Sequence, residues 1–355
     1  MMVSFKPYGY SKESMVSAIE AMTHPYAFSG LKRREFEEFF CDATGRRYAL
    51  AVRELISPLL VLLRYLGITD KSKVLLSPVS YFKHFSPYLK LLGIEVVYAD
   101  IERWFFNIDV KRLSHVLSDE IKIAVIGNSL GIPADWDAIR SFLNSKSVFI
   151  IEDSRETIFT EYKGKVVGSF GDVSLLGFSE KSLITGCGGI VLTDEEKIYR
   201  KLEGEVELLD DIMSSILISQ VKHLEEKLKI RQSLAHFYSD LLTGIEGLKP
   251  HFYPRYVTKM CWNYFCVHLG KRYSDSARGI IKDLLLDDGI EVDEYPASQD
   301  IKEGMPMKHL HIAHEVSMRA LLLPFHEDIT QEDIYFVCER LKEHVLQIGA
   351  GSVDH

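Results

Sequence analysis

The sequence has few of the features that mark secreted, membrane-bound or metal-binding proteins. Its five cysteines show no metal-type spacing, and an odd number of cysteines favours reduced thiols over a disulfide framework. No run of about eighteen apolar residues occurs, so no membrane span is expected. The opening residues, MMVSFKPYGYSKES, lack the apolar core of a secretory signal. We therefore expect a cytoplasmic protein.

The sequence also lacks an excess of positive charge. Its formal net charge of −9 argues against a general electrostatic surface for nucleic acids. A histidine cluster, HLHIAH at 309–314, has no carboxylate or cysteine at a fitting spacing, so a polar loop is favoured over a metal site. What remains is an ordinary globular composition over 355 residues, long enough for two domains or for one large domain with an appendage.

Short strand-like runs alternate with helical stretches through the first 240 residues. The runs are apolar and four to six residues long in most cases, and they include 48–52, 74–76, 121–126 and 148–151. This rhythm is typical of βαβ units and a mostly parallel sheet. Residues 212–242 form the clearest predicted helix, with leucines and a valine at heptad-like spacing. A smaller α+β domain is predicted from about residue 245.

The stretch from 148 to 189 combines residues that suit a reactive site. Asp153 follows one apolar run, Lys181 follows the next, and the glycine-rich turn Gly186–Gly189 comes after it. In open α/β sheets, ligands bind where neighbouring strands end. A lysine amine and a carboxylate are what pyridoxal phosphate (PLP) chemistry requires, because the amine forms a Schiff base and the acid keeps the ring nitrogen protonated. Taken alone, such a pair is more often two surface charges than a catalytic pair.

The context of this pair resembles a known family. IEDSRE followed by GSFGDVSLLGFSEKSLITGCGG is similar to "IEDAAQ…G…GTFGDIGCFSFHPTKNITTGEGG", a pattern of the DegT/DnrJ/StrS aminotransferases, which act on keto-sugars attached to nucleotides. GIPADWDAI at 131–139 resembles "GqpaDmdaI", and the tail from 315 resembles the closing segment of the family. The resemblance runs the length of the chain.

This resemblance implies a fold of type I of the PLP-dependent transferases. Residues 1–240 would form a three-layer αβα domain with a mostly parallel sheet, including the long linking helix 212–242. Residues 241–355 would form a small α+β domain. The resemblance also implies PLP as cofactor and a homodimer with shared active sites.

Site residues follow from the same resemblance. Lys181 matches the catalytic Schiff-base lysine and Asp153 the acid on the ring nitrogen. Tyr81, with Phe82 as the alternative, would stack on the ring. The other expected cofactor contacts are the backbone amides of Leu55 and Ile56, the Ser179 side chain, and Glu156 in place of the family's glutamine or histidine.

The sequence departs from the family at several of these positions. Glu54, Leu55 and Ile56 stand where Ser-Gly-Thr binds the cofactor phosphate, and Leu176 stands where a phosphate-binding serine is expected. Arg155 replaces a small residue. The segment 202–211 is shorter than the family's loop, and no glycine-asparagine-arginine element is visible in it. Arg53 and Arg155 are candidates for replacement phosphate contacts.

Two functions are therefore open. The first is a PLP-dependent aminotransferase that moves an amino group from a donor such as glutamate to a keto-deoxysugar nucleotide, in surface polysaccharide or related sugar biosynthesis. The second is a catalytically degenerate relative with weak or no PLP binding, acting as a partner subunit or a binding protein. Loss of several phosphate contacts, each contributing roughly 1.5–3 kcal/mol, favours the second, whereas the presence of Asp153 and Lys181 favours the first.

Overall fold

The computed structural model describes residues 2–5, 9–25, 27–79, 85–180, 182–295 and 309–351. Its largest element is a seven-stranded sheet with the strand order β1-β9-β8-β5-β4-β2-β3. These strands are β1 (Tyr48–Val52), β2 (Lys73–Leu76), β3 (Glu95–Tyr98), β4 (Ile121–Gly127), β5 (Phe149–Asp153), β8 (Val173–Gly177) and β9 (Gly189–Thr193). Only β9 runs against its neighbours, pairing antiparallel with both β1 and β8. The expected mostly parallel sheet is confirmed.

Both faces of this sheet are buried, which gives the large domain its three layers. Along β1, Leu50 and Val52 enter one apolar core, whereas Ala49 and Ala51 enter another on the opposite face. Side chains alternate in this way because successive residues of a strand point to opposite faces. The helices around the sheet are α1 (Lys12–Thr23), α2 (Leu31–Thr44), α3 (Ile56–Tyr65), α4 (Ser86–Leu91), α5 (Val110–Val116), α6 (Trp136–Asn144), α7 (Glu196–Glu203) and α8 (Asp211–Val221).

The prediction of a single linking helix over residues 212–242 is wrong. The structure has two helices, α8 and then α9 (Leu224–Leu242), separated at Lys222 and His223. At His223 the backbone N–H donates to the carbonyl of Gln220, three residues back, so the α-helical ladder is interrupted. α8 lies against α1 and α2, and Leu228 near the start of α9 still belongs to the same core as Leu217. From Leu234 onward α9 enters the core of the small domain, so the change of core comes after the break.

The small domain is built on an antiparallel sheet with the order β10-β12-β14-β13. Its strands are β10 (Leu248–Pro250), β12 (Phe265–Leu269), β13 (Asp293–Glu294) and β14 (Ala320–Leu323), and its helices are α10 (Ala277–Asp287), α11 (His311–Ser317) and α12 (Gln331–Gly351). A third sheet joins β11 (Val257–Lys259) to the hairpin of β6 (Glu161–Tyr162) and β7 (Lys165–Val166). The fold is therefore α/β with an appended α+β unit. Within the described ranges, no helix has the length and apolar content needed to cross a bilayer.

The histidine cluster begins a helix and is not a loop. The Asp100 carboxylate accepts hydrogen bonds from the backbone N–H groups of Ile312 and Ala313 at 3.1 and 2.9 Å, which satisfies the start of α11. His311 lies 3.6 Å from the same carboxylate. No group of metal-ligating side chains is found among the residues that the structure describes.

Candidate functional site

A cavity of about 510 Å³ lies beside the end of β8 and the start of α3. Three of the predicted cofactor contacts line it, namely Leu55, Ile56 and Ser179, and so do the two candidate replacement contacts, Arg53 and Arg155. It is mixed in character, with aromatic rings and four charged side chains among the lining residues: Phe85, Tyr88, Phe178, Tyr264, Arg53, Glu54, Arg155 and Glu180. The predicted residues Lys181 and Tyr81, and the alternative Phe82, lie outside the described residues.

Asp153 lies next to this cavity and is held by a neighbouring arginine. It is the last residue of β5 and is 4% exposed. The Arg155 Nε donates to Oδ1 at 2.8 Å and Nη2 donates to Oδ2 at 2.9 Å. This two-pronged arrangement is the strongest that a guanidinium makes with a carboxylate. Both carboxylate oxygens are thus already bonded to a cation.

Arg155 fills a place formed by an aromatic ring and a glycine. Its guanidinium carbon lies 5.0 Å from the centroid of the Phe85 ring, a cation–π contact. Its stem passes over Gly177, where an added Cβ would lie 3.0 Å from Arg155 Cγ and 3.1 Å from Cδ. A larger residue at 177 would therefore push the arginine away. Leu176, where a phosphate-binding serine was expected, is instead buried in the core on the other side of the strand.

The start of α3 is bonded to a carboxylate of the chain itself. The Glu54 side chain accepts from the Ile56 N–H at 2.5 Å and from the Ser57 N–H at 2.9 Å. Amides at a helix N-terminus have no intrahelical partner and attract anions. Ile56 was predicted to offer its amide to the cofactor phosphate, and in this structure that amide binds Glu54.

The glycine-rich turn allows a close approach of three chain segments. Gly188 has a φ of +91°, and a Cβ there would lie 2.6 Å from the Val52 carbonyl oxygen. A Cβ on Gly189 would lie 2.6 Å from a methyl group of Leu55. These contacts place the beginning of α3 directly against β9, and so they set the position of one wall of the cavity.

The short segment before α8 lies along the edge strand β1. The backbone N–H of Arg53 donates to the Glu207 carbonyl at 3.0 Å, and the Leu209 N–H donates to the Ala51 carbonyl at 2.9 Å. The Arg53 guanidinium lies 3.6 Å from the carboxylates of both Glu207 and Asp210 and is 60% exposed. Arg53 thus lines the cavity as a solvated, paired cation.

Cys187, in the same turn, is not an activated thiol. Partial burial raises its pKa, and the Asp210 carboxylate raises it further, against a smaller opposing effect of Arg53. A thiol needs a lowered pKa to act as a nucleophile near neutral pH.

Glu156 takes a role that the sequence did not indicate. It is 4% exposed and is not among the described residues that line the cavity. Its carboxylate accepts from the Leu130 N–H at 2.9 Å and lies 3.3 Å from the Tyr295 hydroxyl, while its carbonyl accepts from the Asn263 side chain. These bonds connect the large domain to the small one.

Glu152 is a buried acid that the sequence reasoning missed. It is 0% exposed and faces the opposite side of the sheet from Asp153, as strand alternation requires. Its two oxygens accept six hydrogen bonds, from Asn128 Nδ2, Ser154 Oγ, Gly168 N, Phe170 N, Gly171 N and Ser174 Oγ. The adjacent position in IEDSRE was the available signal, because a charged residue inside a buried strand needs partners.

The comparisons with known proteins agree with this architecture. The profile of the DegT/DnrJ/EryC1/StrS aminotransferase family matches residues 10–204 and 204–342. The chain belongs to this family. The spore coat polysaccharide biosynthesis protein SpsC of Bacillus subtilis is 25% identical over 96% of this chain and 97% of its own length. A GDP-perosamine synthase of Escherichia coli O157:H7 is 22% identical over 87% of this chain and 89% of its own length.

Solved structures show the same fold. A putative sugar aminotransferase of Streptococcus pneumoniae, Spr1654, in its PMP form, superposes with a TM-score of 0.90 and 17% identity over 100% of both chains. The resemblance of the sequence to the DegT/DnrJ/EryC1/StrS family and the expected fold class are both confirmed.

PLP is the cofactor of the DegT/DnrJ/EryC1/StrS aminotransferases, and one neighbour was solved in a PLP form. The described residues include groups suited to the two charged parts of this cofactor. Asp153 suits a protonated ring nitrogen, and the amides at the start of α3 suit a phosphate. Arg155 and Glu54 hold these contacts in the present structure. The chemistry of this donor set, a buried carboxylate and the amides of a helix start, fits the ring nitrogen and the phosphate of PLP.

Proposed function

We propose that this protein is a PLP-dependent aminotransferase that transfers an amino group from a donor such as glutamate to a keto-deoxysugar nucleotide. The observation that carries the proposal is the buried carboxylate of Asp153 at the carboxyl end of β5. It is bonded to Arg155, which lines the cavity together with the start of α3. The family match over most of the chain supports the reaction class, and relatives such as SpsC support a role in polysaccharide or related sugar biosynthesis.

Each residue has a separate task in this proposal. PLP, when bound, supplies the reactive aldehyde carbon and an electron-withdrawing ring. Asp153 would hold a proton on the ring nitrogen through its negative charge. Lys181 would bond the cofactor and would move the proton at the substrate carbon. The amides of Leu55 and Ile56, with Ser179, would hold the phosphate, and Tyr81 would stack on the ring.

The walls of the cavity also favour a substrate with a flat ring and hydroxyl groups. Tyr88 and Tyr264 offer aromatic faces, and Ser182 and Arg53 offer polar groups. Such a mixture suits a sugar joined to a nucleotide better than a small apolar molecule.

We further propose a cytoplasmic homodimer, with the large domain in residues 1–240 and the small domain in 241–355. Exposed apolar side chains support a second copy. On α1, Met15, Ile19 and Met22 recur at helical spacing and are 52%, 60% and 60% exposed. On α4, beside the cavity, Leu91 is 84% exposed. Sedimentation equilibrium at micromolar concentration tests the dimer.

The experiment that tests the activity has two steps. The protein is incubated with PLP, reduced with borohydride and digested, and mass spectrometry locates the reduced cofactor. We expect it on Lys181 and not on other lysines, and its absence from Lys181→Ala. The PLP-loaded protein is then mixed with L-glutamate, and 2-oxoglutarate is measured.

A second function is favoured by the ion pair of Arg155 with Asp153 and by the hydrogen bonds of Glu54 to the α3 amides. In that case the protein is a catalytically degenerate relative, acting as a partner subunit or a binding protein. Failure of millimolar PLP to label Lys181 would support this second function and contradict the first.

A further inference from the structure

Two charged side chains of this chain lie where the charges of the cofactor belong. Arg155 places its positive charge against the Asp153 carboxylate, which is the group that suits a protonated ring nitrogen. Glu54 carries a negative charge on the amides at the start of α3, the contact that suits a phosphate. Each side chain has the same sign of charge as the cofactor group that would take its place.

Both contacts are built into the site. Arg155 is only 14% exposed at its side chain, and its partner Asp153 only 5%. Its place depends on the missing side chain at Gly177 and on the ring of Phe85. Glu54 uses both carboxylate oxygens, one on each of two successive amides. The chain thus leaves a defined space for Arg155, because a side chain at position 177 would overlap its stem.

These contacts satisfy groups that an empty site would leave unpaired. A buried carboxylate without a partner and helix amides without an acceptor each cost free energy. The cofactor must therefore replace bonds that already exist, whereas in an empty site it would gain them outright. The free energy needed to break these bonds is subtracted from the binding free energy of the cofactor.

We propose that Arg155 and Glu54 are internal substitutes for the ring nitrogen and the phosphate, so that the protein rests in a self-occupied state and takes up the cofactor only by displacing them. The proposal rests on the proposed function, because it assigns PLP to this site. It predicts that the two substitutes oppose different parts of the cofactor, Arg155 the ring and Glu54 the phosphate.

A matched pair of probes separates these parts. Pyridoxamine 5′-phosphate and pyridoxamine share the ring and differ in the phosphate, and neither has the aldehyde that bonds a lysine. Their dissociation constants are measured by calorimetry for the wild type, Glu54→Gln, Arg155→Met and the double variant. Methionine keeps an unbranched stem over Gly177, and glutamine keeps an oxygen for the helix amides.

We expect Glu54→Gln to bind pyridoxamine 5′-phosphate about tenfold more tightly and pyridoxamine unchanged. We expect Arg155→Met to bind both probes about tenfold or more tightly. A tenfold change corresponds to one charge-assisted hydrogen bond that no longer has to be broken. Arg155 makes two such bonds with Asp153, so tenfold is a lower bound for Arg155→Met. The proposal is overturned if Arg155→Met binds neither probe more tightly, or if Glu54→Gln changes the affinity for both probes equally.

Two other charges serve as controls. Glu207→Gln removes a carboxylate that is 78% exposed near the site, and Arg64→Met removes a cation that is 68% exposed at the other end of α3. Neither touches Asp153 or the α3 amides in the structure, so neither should tighten pyridoxamine 5′-phosphate binding. Tightening by these variants would show that any loss of charge opens the site, which contradicts the proposal.

The outcomes also separate this proposal from the proposed function. If the double variant binds pyridoxamine 5′-phosphate and the wild type does not label Lys181 with PLP, the self-occupied state is supported and the activity is not. If the wild type binds as tightly as the double variant, the self-occupied state is refuted and the activity stands. If neither binds, both fail. Should Arg155→Met not fold, Arg155→Lys, which loses the two-pronged bond, is expected to bind with intermediate affinity.

Discussion

Glu152 gives the sharpest test of how the large domain is held together. Its carboxylate joins β5 to β8 and to the turn at 168–171, which leads into the strand that ends at the cavity. Three of the six donors are backbone N–H groups, which cannot be turned around to accept. Both oxygen atoms of residue 152 therefore have to be hydrogen-bond acceptors.

The substitution Glu152→Gln keeps the size of the side chain and replaces one oxygen with an NH₂ group. Serine hydroxyls can rotate and accept from it, but backbone N–H groups cannot. Asn128 cannot reverse its amide either, because its Oδ1 accepts from Ala134 N and Trp136 Nε1 at 2.9 Å each. In either orientation of the glutamine amide, at least two donors lose their acceptor.

The expected cost follows from those two donors. Each hydrogen bond to a charged group contributes roughly 1.5–3 kcal/mol, so Glu152→Gln should destabilise the protein by about 3–6 kcal/mol. The unfolding entropy of a chain of this size converts this into a fall in Tm of about 4–8 °C. Differential scanning calorimetry of the cofactor-free protein measures it directly.

The matched control is Glu207→Gln, the same chemical change at a side chain that is 78% exposed. Its effect should stay within about 0.5 kcal/mol, as for most surface substitutions. The reasoning is refuted if Glu152→Gln melts within about 1 °C of the wild type, since the six bonds would then contribute nothing that a neutral amide cannot replace.

Three further predictions concern pH and two glycines. Burial lowers the pKa of both His251 and His268 to about 4, so the unfolded chain binds more protons than the folded protein between about pH 6.5 and 4. Acidification across this range should therefore lower the free energy of unfolding by up to about 3 kcal/mol per histidine. Urea unfolding at pH 7, 5 and 4 measures this loss, and His251→Leu should make the free energy of unfolding depend less on pH. Gly177→Ala should cost about 1 kcal/mol in the wild type and nothing in Arg155→Ala, because the new methyl group meets only that arginine within 3.1 Å; equal costs in both backgrounds would contradict the contact. Gly189→Ala should cost about 1–3 kcal/mol, since its Cβ would lie 2.7 Å from a backbone carbonyl oxygen of the neighbouring strand, and unchanged thermal melting would exclude this overlap.

The alternation of apolar runs predicted the sheet because it reflects local physics. The run at 48–52 became β1 with the same bounds. The helix at 212–242 was predicted as one element because its apolar spacing continues across His223, where Leu217 and Leu228 enter the same core. The later residues from Leu234 onward enter another core. Periodicity shows that a face is buried, and it does not show what buries it.

The candidate site also has features that the sequence predicts and features that depend on tertiary contacts. The position of Asp153 at a strand end and the capacity of the α3 amides for an anion could be predicted from the sequence, because strand ends and helix starts have fixed polar properties. Whether PLP is retained there depends on side chains that only the folded chain brings together. Arg155 reaches Asp153 because Gly177 leaves room for its stem.

The sequence by itself determined the family, the layered α/β architecture and the acid at the end of β5, since each of these is written in consecutive residues. Tertiary structure alone decided which buried acid supports the fold and which contacts the site. Glu152 and Asp153 are adjacent in sequence and point to opposite faces of one strand. The partners of Glu152 come from segments up to 24 residues away, whereas Asp153 bonds to Arg155 beside the cavity. Residues that are neighbours in the chain thus acquire separate roles because a strand turns successive side chains in opposite directions.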